Sequence, residues 1–556
     1  MMYRLSLFTA LLLVSTQTFG TDVGMRYPAE KSTGENMTTA AESRAAGVVS
    51  LIVRHEPGAG SVADRIGAVV ARAWNNTEVL EVPAGQAEAI KALLRITPGV
   101  ESVEPDAVFS TPQPHAASAP ETSFSAQSTS NGPDDPENSD QFWWRPVEDY
   151  DGASSAEEAW LRSLLNEKLS VVVVDGGFDN HPDFKWTSGI SLVDDGRGYR
   201  SYNPDSCDSY HGQSVASIIG ATADNGRGMA GMINADFHAA RVLACDSSGY
   251  LSDVARAIRW GAGEDIGEGQ PLDEPADIIN LSLGAETQCS STLQAAIDAA
   301  SRAGATVVVS AGNNSSNASN HAPASCRGVV TVGAVTLQGN QASFSNYGEA
   351  LDVSALGQQV RVQGPDGHRW MSGTSFSTPI VSGIVGLIRQ DIPELGSDKL
   401  RQLLPQAVTP LNVNTDDMGA GILNAALLQE EVATLLGNDE PALHHAMAVR
   451  VDKEGDSPFW EHLDESRLCG LHEFQANAQE RNAGEVYRVF RVSDGETMTV
   501  SNGDEVGETT DQRFLLTGLN PDDYRYGLQL CDGNQCRDDD LIELSTGRMQ
   551  PPVRCR

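Results

Sequence analysis

The middle of the sequence predicts a three-layer α/β fold built on a mostly parallel sheet, and three observations carry that prediction. Between residue 141 and about residue 430, short runs rich in β-branched residues (169–174, 276–283, 306–310 and 329–335) alternate with Ala-rich stretches of helical spacing (214–221, 252–262, 291–303 and 378–390). The strand-like runs are apolar throughout, so both of their faces are covered. Strands that alternate with helices give a sheet flanked by helical layers.

The flanks differ in texture. Residues 47–109 read as a small α+β unit. Strand-like runs at 48–53, 79–82 and 100–108 alternate with helical stretches at 62–73 and 87–96, which supplies three of the four strands of the ferredoxin-like pattern β-α-β-β-α-β. Residues 110–140 are rich in Ser, Pro, Asn, Gln and Asp and read as a linker. Residues 440–556 are acidic, with strand-like runs at 487–492, 498–500 and 524–531, and suggest a small β-rich domain with disulfide staples. At the start of the chain Arg4, the apolar run 5–14 and Thr18-Phe19-Gly20 form the three parts of a signal peptide spanning 1–20. That run is too short to span a bilayer.

The 556 residues carry a formal charge of −38. Such a surface excludes nucleic acid as a partner, because a phosphate backbone is bound by Lys and Arg, and it disfavours an anionic membrane. Lysine occurs only at Lys31, Lys91, Lys168, Lys185, Lys399 and Lys453. This balance suits a protein kept soluble in salty water, and equally an ordinary acidic secreted protein. The eight cysteines are even in number in a chain that looks exported, so disulfides are expected. None has zinc-site spacing.

Four segments carry chemistry. Val171-Val172-Val173-Val174-Asp175-Gly176-Gly177 delivers a carboxylate at the end of a buried strand, where open α/β sheets place their sites. His211-Gly212-Gln213-Ser214 opens a helix of small residues. Val309-Ser310-Ala311-Gly312-Asn313 ends a second strand in a side-chain amide, which can donate to an oxyanion. Ser372-Gly373-Thr374-Ser375 precedes a helix whose first turn holds Pro379. Each alone has a plain explanation: an Asp after a strand, a helix-cap His, a Gly-Asn turn, an N-cap Ser. Together they supply what serine acylation needs, namely a nucleophile, a base, an anion to orient the base and an oxyanion donor.

With those residues in view, the segment 167–428 resembles the subtilisin-like serine peptidases, or subtilases. Gly373-Thr374-Ser375 with Ser377 and Pro379 fits that family's serine motif. Asn280-Leu281-Ser282-Leu283-Gly284 resembles the strand that pairs with substrate backbone beside the S1 pocket, which makes Ser282, Leu283 and Gly284 the implied substrate-binding residues. The resemblance implies a subtilisin-like fold, with Ser375 as nucleophile, His211 as base, Asp175 as its orienting anion and Asn313 as oxyanion donor. Two positions depart from the pattern: Gly176 stands where Ser or Thr is usual, and Gln213 where Thr is usual.

The same resemblance makes 47–109 an inhibitory, chaperoning propeptide whose Gly99 to Asp106 ending is similar to the family's last strand, with maturation inside 110–140. It implies disulfides Cys207–Cys245 and Cys289–Cys326, each bracing a catalytic loop, as in the bacterial secreted branch. The expected protein is a secreted zymogen and a monomer, acting on protein or peptide substrates, with no nucleic acid or membrane partner and no cofactor needed for the chemistry. Structural calcium is the one metal to consider, at Asp194-Asp195-Gly196 or Asp538-Asp539-Asp540, though neither forms a recognisable ligand loop. His321 aligns loosely beside the S1 pocket. The alternatives are an inactive subtilase-fold binding protein, and an adhesin defined by the C-terminal segment.

Overall fold

The computed structural model describes residues 47–435, apart from 112–114, 120–134, 148, 164–167, 224, 394 and 413–416, and then separate stretches between 447 and 543. The expected leader, most of the linker, residues 498–500 and Asp538 to Asp540 lie outside the described residues.

The described chain opens with β1 (Val48–His55), followed by α1 (Ala63–Ile66), β2 (Val69–Trp74), β3 (Thr77–Pro83), α2 (Ala87–Arg95) and β4 (Val100–Pro105). These strands make one sheet in the order β2-β3-β1-β4, and its apolar face closes on Leu94 and Val62. The stretch 62–73, which has helical spacing in the sequence, is mostly not a helix. Gly67, at φ 65°, ends α1 after one turn. The β-branched pair Val69 and Val70 then lies opposite Glu81 and Leu80 of β3. Pairing with an available strand outweighs a weak local helical pattern there.

After β5 (Val108–Ser110) and β6 (His115–Ala117) comes the larger unit. Its elements are α3 (Ala156–Arg162), β7 (Leu169–Asp175), β8 (Trp186–Ser191), α4 (His211–Gly220), β9 (Ala235–Arg241), β10 (Ser248–Tyr250), α5 (Leu251–Gly261), β11 (Ile278–Leu281), α6 (Ser291–Arg302), β12 (Thr306–Ser310), β13 (Val329–Val335), β14 (Val353–Leu356), β15 (Val360–Gly364), β16 (Gly367–Ser372), α7 (Thr374–Asp391), α8 (Ser397–Leu403), β17 (Val408–Thr409), β18 (Ile422–Leu423) and α9 (Ala425–Leu435). Nine strands form one sheet in the order β17-β18-β14-β13-β12-β11-β7-β9-β8. Every pairing in it is parallel except β17 with β18.

The valine run of β7 shows why the layers number three. Val171 and Val173 enter a core shared with α4 and α7, while Val172 and Val174 enter a second core shared with α5 and α6. Successive side chains of a strand point to opposite faces, so an unbroken apolar run needs a helical layer on each side. This is the three-layer α/β fold expected from the sequence. β7 is followed in the sheet by β9 on one side and β11 on the other, so the strand order reverses beside Asp175, and the carboxyl ends there open a crevice.

Further along, the described stretches are strands. Met447–Val451, His472–Ala476 and Arg513–Leu516 make a three-stranded sheet, and Glu485–Ser493, Asp504–Thr509, Tyr524–Asp532, Gln535–Cys536 and Ile542–Glu543 make a five-stranded one.

Candidate active site

Asp175 ends β7 and is fully buried. Both of its carboxylate oxygens lie 3.0 Å from His211 Nδ1. The Gly176 N–H donates to Asp175 Oδ1 at 2.7 Å. A carboxylate held this way fixes the ring and puts the proton on Nδ1, which leaves the lone pair on Nε2. His211 is the first residue of α4. Its Nε2 is buried without a hydrogen-bond partner among the described residues, and its ring lies 5.7 Å from that of Phe376, the residue after Ser375.

Ser375 is the second residue of α7 and is fully buried. Its hydroxyl donates to the Ser282 carbonyl at 3.4 Å, and the Ser282 hydroxyl donates to the Ser375 carbonyl at 2.9 Å. Asn280 extends this tie. Its amide donates to Ser282 Oγ at 3.1 Å and its oxygen accepts from Ser382 Oγ at 2.8 Å. The first three turns of α7 are thereby tied to the end of β11. Ser375 Oγ is bonded to Ser282 rather than to His211.

Asn313 follows β12. Its Oδ1 accepts from the backbone N–H of Thr374 at 2.9 Å and from Thr374 Oγ1 at 2.8 Å. The residue before Ser375 therefore decides which end of the Asn313 amide is the donor end: Nδ2 lies only 3.0 Å from where a Cβ on Gly373 would stand. Thr374 Oγ1 also accepts from Gly312 N–H at 3.2 Å. Gly312 sits at φ 102°, and a Cβ there would come within 2.4 Å of Asn346 Nδ2. Asn346, buried, braces the loop by donating to Ala311 O at 2.8 Å and accepting from Asn314 and Ser316 N–H groups at 2.9 and 3.0 Å. The sequence marks Thr374 only as part of the serine motif and does not mark Asn346; a side chain that braces a loop 32 residues away leaves no local pattern.

A family model for the subtilases matches residues 166–422. Subtilisin BL of Lederbergia lenta is 31% identical over 278 residues, which cover 49% of this chain and 94% of that protein. The chain belongs to the subtilase family. An extracellular protease of Xanthomonas campestris is 32% identical over 383 residues, and the match spans 61% of each chain. Among solved structures, a protease of Pseudoalteromonas arctica is 31% identical, covers 53% of this chain and 98% of that one, and has a TM-score of 0.49.

The two departures from the subtilase pattern have packing reasons. A Cβ on Gly176 would meet Leu243 O at 2.8 Å, and one on Gly212 would meet Phe178 at 2.4 Å, so β7, the following turn and α4 approach too closely for side chains. Gln213 is fully buried but points away from Asp175. Its Oε1 accepts from Trp186 Nε1 at 2.8 Å and its amide donates to Gln363 Oε1 at 3.2 Å.

The strand expected to bind substrate, Ser282, Leu283 and Gly284, pairs through Gly284 with a segment of the same chain. Ser110 and Gly284 exchange backbone hydrogen bonds of 3.0 and 2.9 Å. β5 pairs antiparallel with β10, with Val108, Phe109 and Ser110 opposite Tyr250, Gly249 and Ser248. β6 pairs antiparallel with β16, with His115 opposite Ser372. The N-terminal unit is docked beside this segment by two carboxylates. Glu104 accepts from the Ser291 and Thr292 N–H groups at 2.6 and 3.1 Å, at the start of α6. Asp106 accepts from the Ser252 N–H and hydroxyl at 2.9 and 2.7 Å, at the start of α5. Helix N-termini favour such anions. Arg72 adds an ion pair to Asp253 at 2.8 Å.

Cys207 is bonded to Cys245 and Cys289 to Cys326. Cys207 lies four residues before His211, and Cys326 five after His321. Asp195 does not fit a calcium site: its carboxylate is engaged by the buried guanidinium of Arg241, with Nη1 at 2.7 Å from Oδ1. Among the described residues there is no group of three or more His, Cys, Asp or Glu that could hold a metal ion, and no helix long and apolar enough to cross a membrane.

Proposed function

We propose that this subtilase is a secreted serine endopeptidase made as a zymogen, with Ser375 as nucleophile. The observation that carries the reading is the Asp175–His211 pair, which leaves a buried His211 Nε2 without a partner among the described residues, beside the helix that bears Ser375. The Ser375 hydroxyl attacks the peptide carbonyl, and its proton passes to His211 Nε2. Asp175 offsets the charge of the resulting imidazolium. The oxyanion takes hydrogen bonds from Asn313 Nδ2 and the Ser375 N–H. As the tetrahedral intermediate collapses, the C–N bond breaks, His211 returns the proton to the leaving amine, and an acyl-enzyme remains for water to hydrolyse.

Residues 47–109 act as the intramolecular inhibitor. Support comes from Ser110, which occupies Gly284 as an extended substrate would, and from Glu104 and Asp106 on two helix N-termini. The protein acts outside the cell, as the extracellular naming of its Xanthomonas relative suggests, and it acts as a monomer. The rival reading of an inactive binding protein rested on Gly176 and Gln213, and both have packing reasons that spare the Asp175–His211 contact.

Secreted wild-type protein is expected to degrade soluble casein, and Ser375→Ala protein to leave casein intact while itself staying full length. Casein cleavage by the Ser375→Ala protein, or none by a processed wild type, overturns the reading.

A further inference from the structure

We infer that His321 forms the floor of the pocket that receives the side chain before the cleaved bond, and selects side chains that end in a hydrogen-bond donor. The inference rests on the endopeptidase reading above. Its starting point is an orphaned atom: His321 is buried, and its Nε2 has no hydrogen-bond partner among the described residues.

Two segments place the ring. Ala322, the next residue, exchanges backbone hydrogen bonds of 2.9 and 3.0 Å with Ala285, directly after Gly284, where the extended Ser110 backbone is held. On the other side, His321 Cδ2 lies 3.6 Å from where a Cβ on Gly312 would stand, next to the Asn313 donor. The ring therefore sits between the strand that binds a peptide backbone and the loop that faces its carbonyl. A side chain projecting between those two walls meets His321.

The chemistry follows from the other ring nitrogen. His321 Nδ1 lies 3.3 Å from the Asn317 carbonyl, which can only accept, so Nδ1 carries the proton. Nε2 of that tautomer is a buried lone pair, an acceptor that has given up water without a replacement. An amide or hydroxyl at the end of a substrate side chain restores the bond, whereas an apolar side chain of equal size leaves the acceptor stranded. Between side chains of matched size, that hydrogen bond decides the preference.

The test uses the mature secreted enzyme and matched peptide substrates that differ only before the scissile bond: Gln against Met, and Tyr against Phe. Wild type is expected to favour the donor of each pair by about tenfold in kcat/KM, the size of one net hydrogen bond. His321→Ala should bring both ratios near unity while the Phe substrate is still cleaved, and His321→Gln, whose carbonyl can accept, should keep part of the preference. Equal rates within both pairs in wild type, ratios unmoved in His321→Ala, or a preference for Glu over Gln would each overturn the inference while leaving the endopeptidase reading intact. No cleavage of any substrate would overturn both.

Discussion

Replacing Gly312 by Ala tests how the oxyanion loop is built. The change adds one methyl at φ 102°, and that methyl would come 2.4 Å from Asn346 Nδ2. The backbone strain costs about 1–2 kcal/mol. Moving Asn346 away breaks its bond to Ala311 O and disturbs those from Asn314 and Ser316, at about 1 kcal/mol each. Together these approach about 4–5 kcal/mol, more than enough to shift the loop that carries Asn313. The loss of turnover then has a ceiling, because removing an oxyanion donor altogether costs about two to three orders of magnitude. Gly312→Ala should lower kcat about 100-fold with little change in KM. The assay is steady-state kinetics on peptide substrates, normalised to titrated active sites, with Asn313→Ala measured alongside. Since both changes remove one interaction, the double variant should be no worse than Asn313→Ala alone. A folded Gly312→Ala enzyme with turnover within about twofold of wild type would refute the reasoning.

Three further outcomes are expected. Replacing Cys289 and Cys326 by Ala opens a loop closed over 37 residues and should cost about 3–4 kcal/mol, read as a lower melting temperature; an unchanged melting temperature would show the bond to be energetically idle. Burial raises the Asp253 carboxyl to about 7, against the opposing pull of Arg72 and Arg256. A carboxyl raised in the docked state favours docking below its ordinary value of about 3.9, and that contribution is lost as pH rises through about 7. The cleaved propeptide should therefore leave faster at about pH 8 than at about pH 5, and Asp253→Asn should flatten the difference; activation rates that ignore pH would contradict this. Finally, Ser110 is held at Gly284 and His115 lies opposite Ser372, so N-terminal sequencing should place the first maturation cut between Thr111 and His115. A first cut before Ser110 or after Ala117 would contradict that threading.

Much of the candidate site was legible because its chemistry sits at element ends. The valine run before Asp175 had to be a buried strand, and a buried strand delivers its next residue to the crevice. His211 and Ser375 open helices of small residues that pack close to the sheet. What stayed hidden was support that crosses the chain. Asn346 braces Gly312, Thr374 orients Asn313, and Gln213 turns toward Trp186, each through contacts with no sequence period. The short helix at Ala63–Ile66 was overread because Val69 and Val70 continue its spacing, although they belong to an edge strand whose partner, β3, decides the matter. Gly176 and Gln213, which depart from the family pattern in the sequence, are accommodated by packing in the structure.

The central claim is that Ser375 is a nucleophile activated by His211. The most direct measurement is labelling of the processed, secreted protein with a fluorophosphonate, followed by peptide mass mapping. One label per chain on Ser375, lost in His211→Ala, is the predicted result. A processed protein that takes no label, or takes it on another residue, would contradict the account.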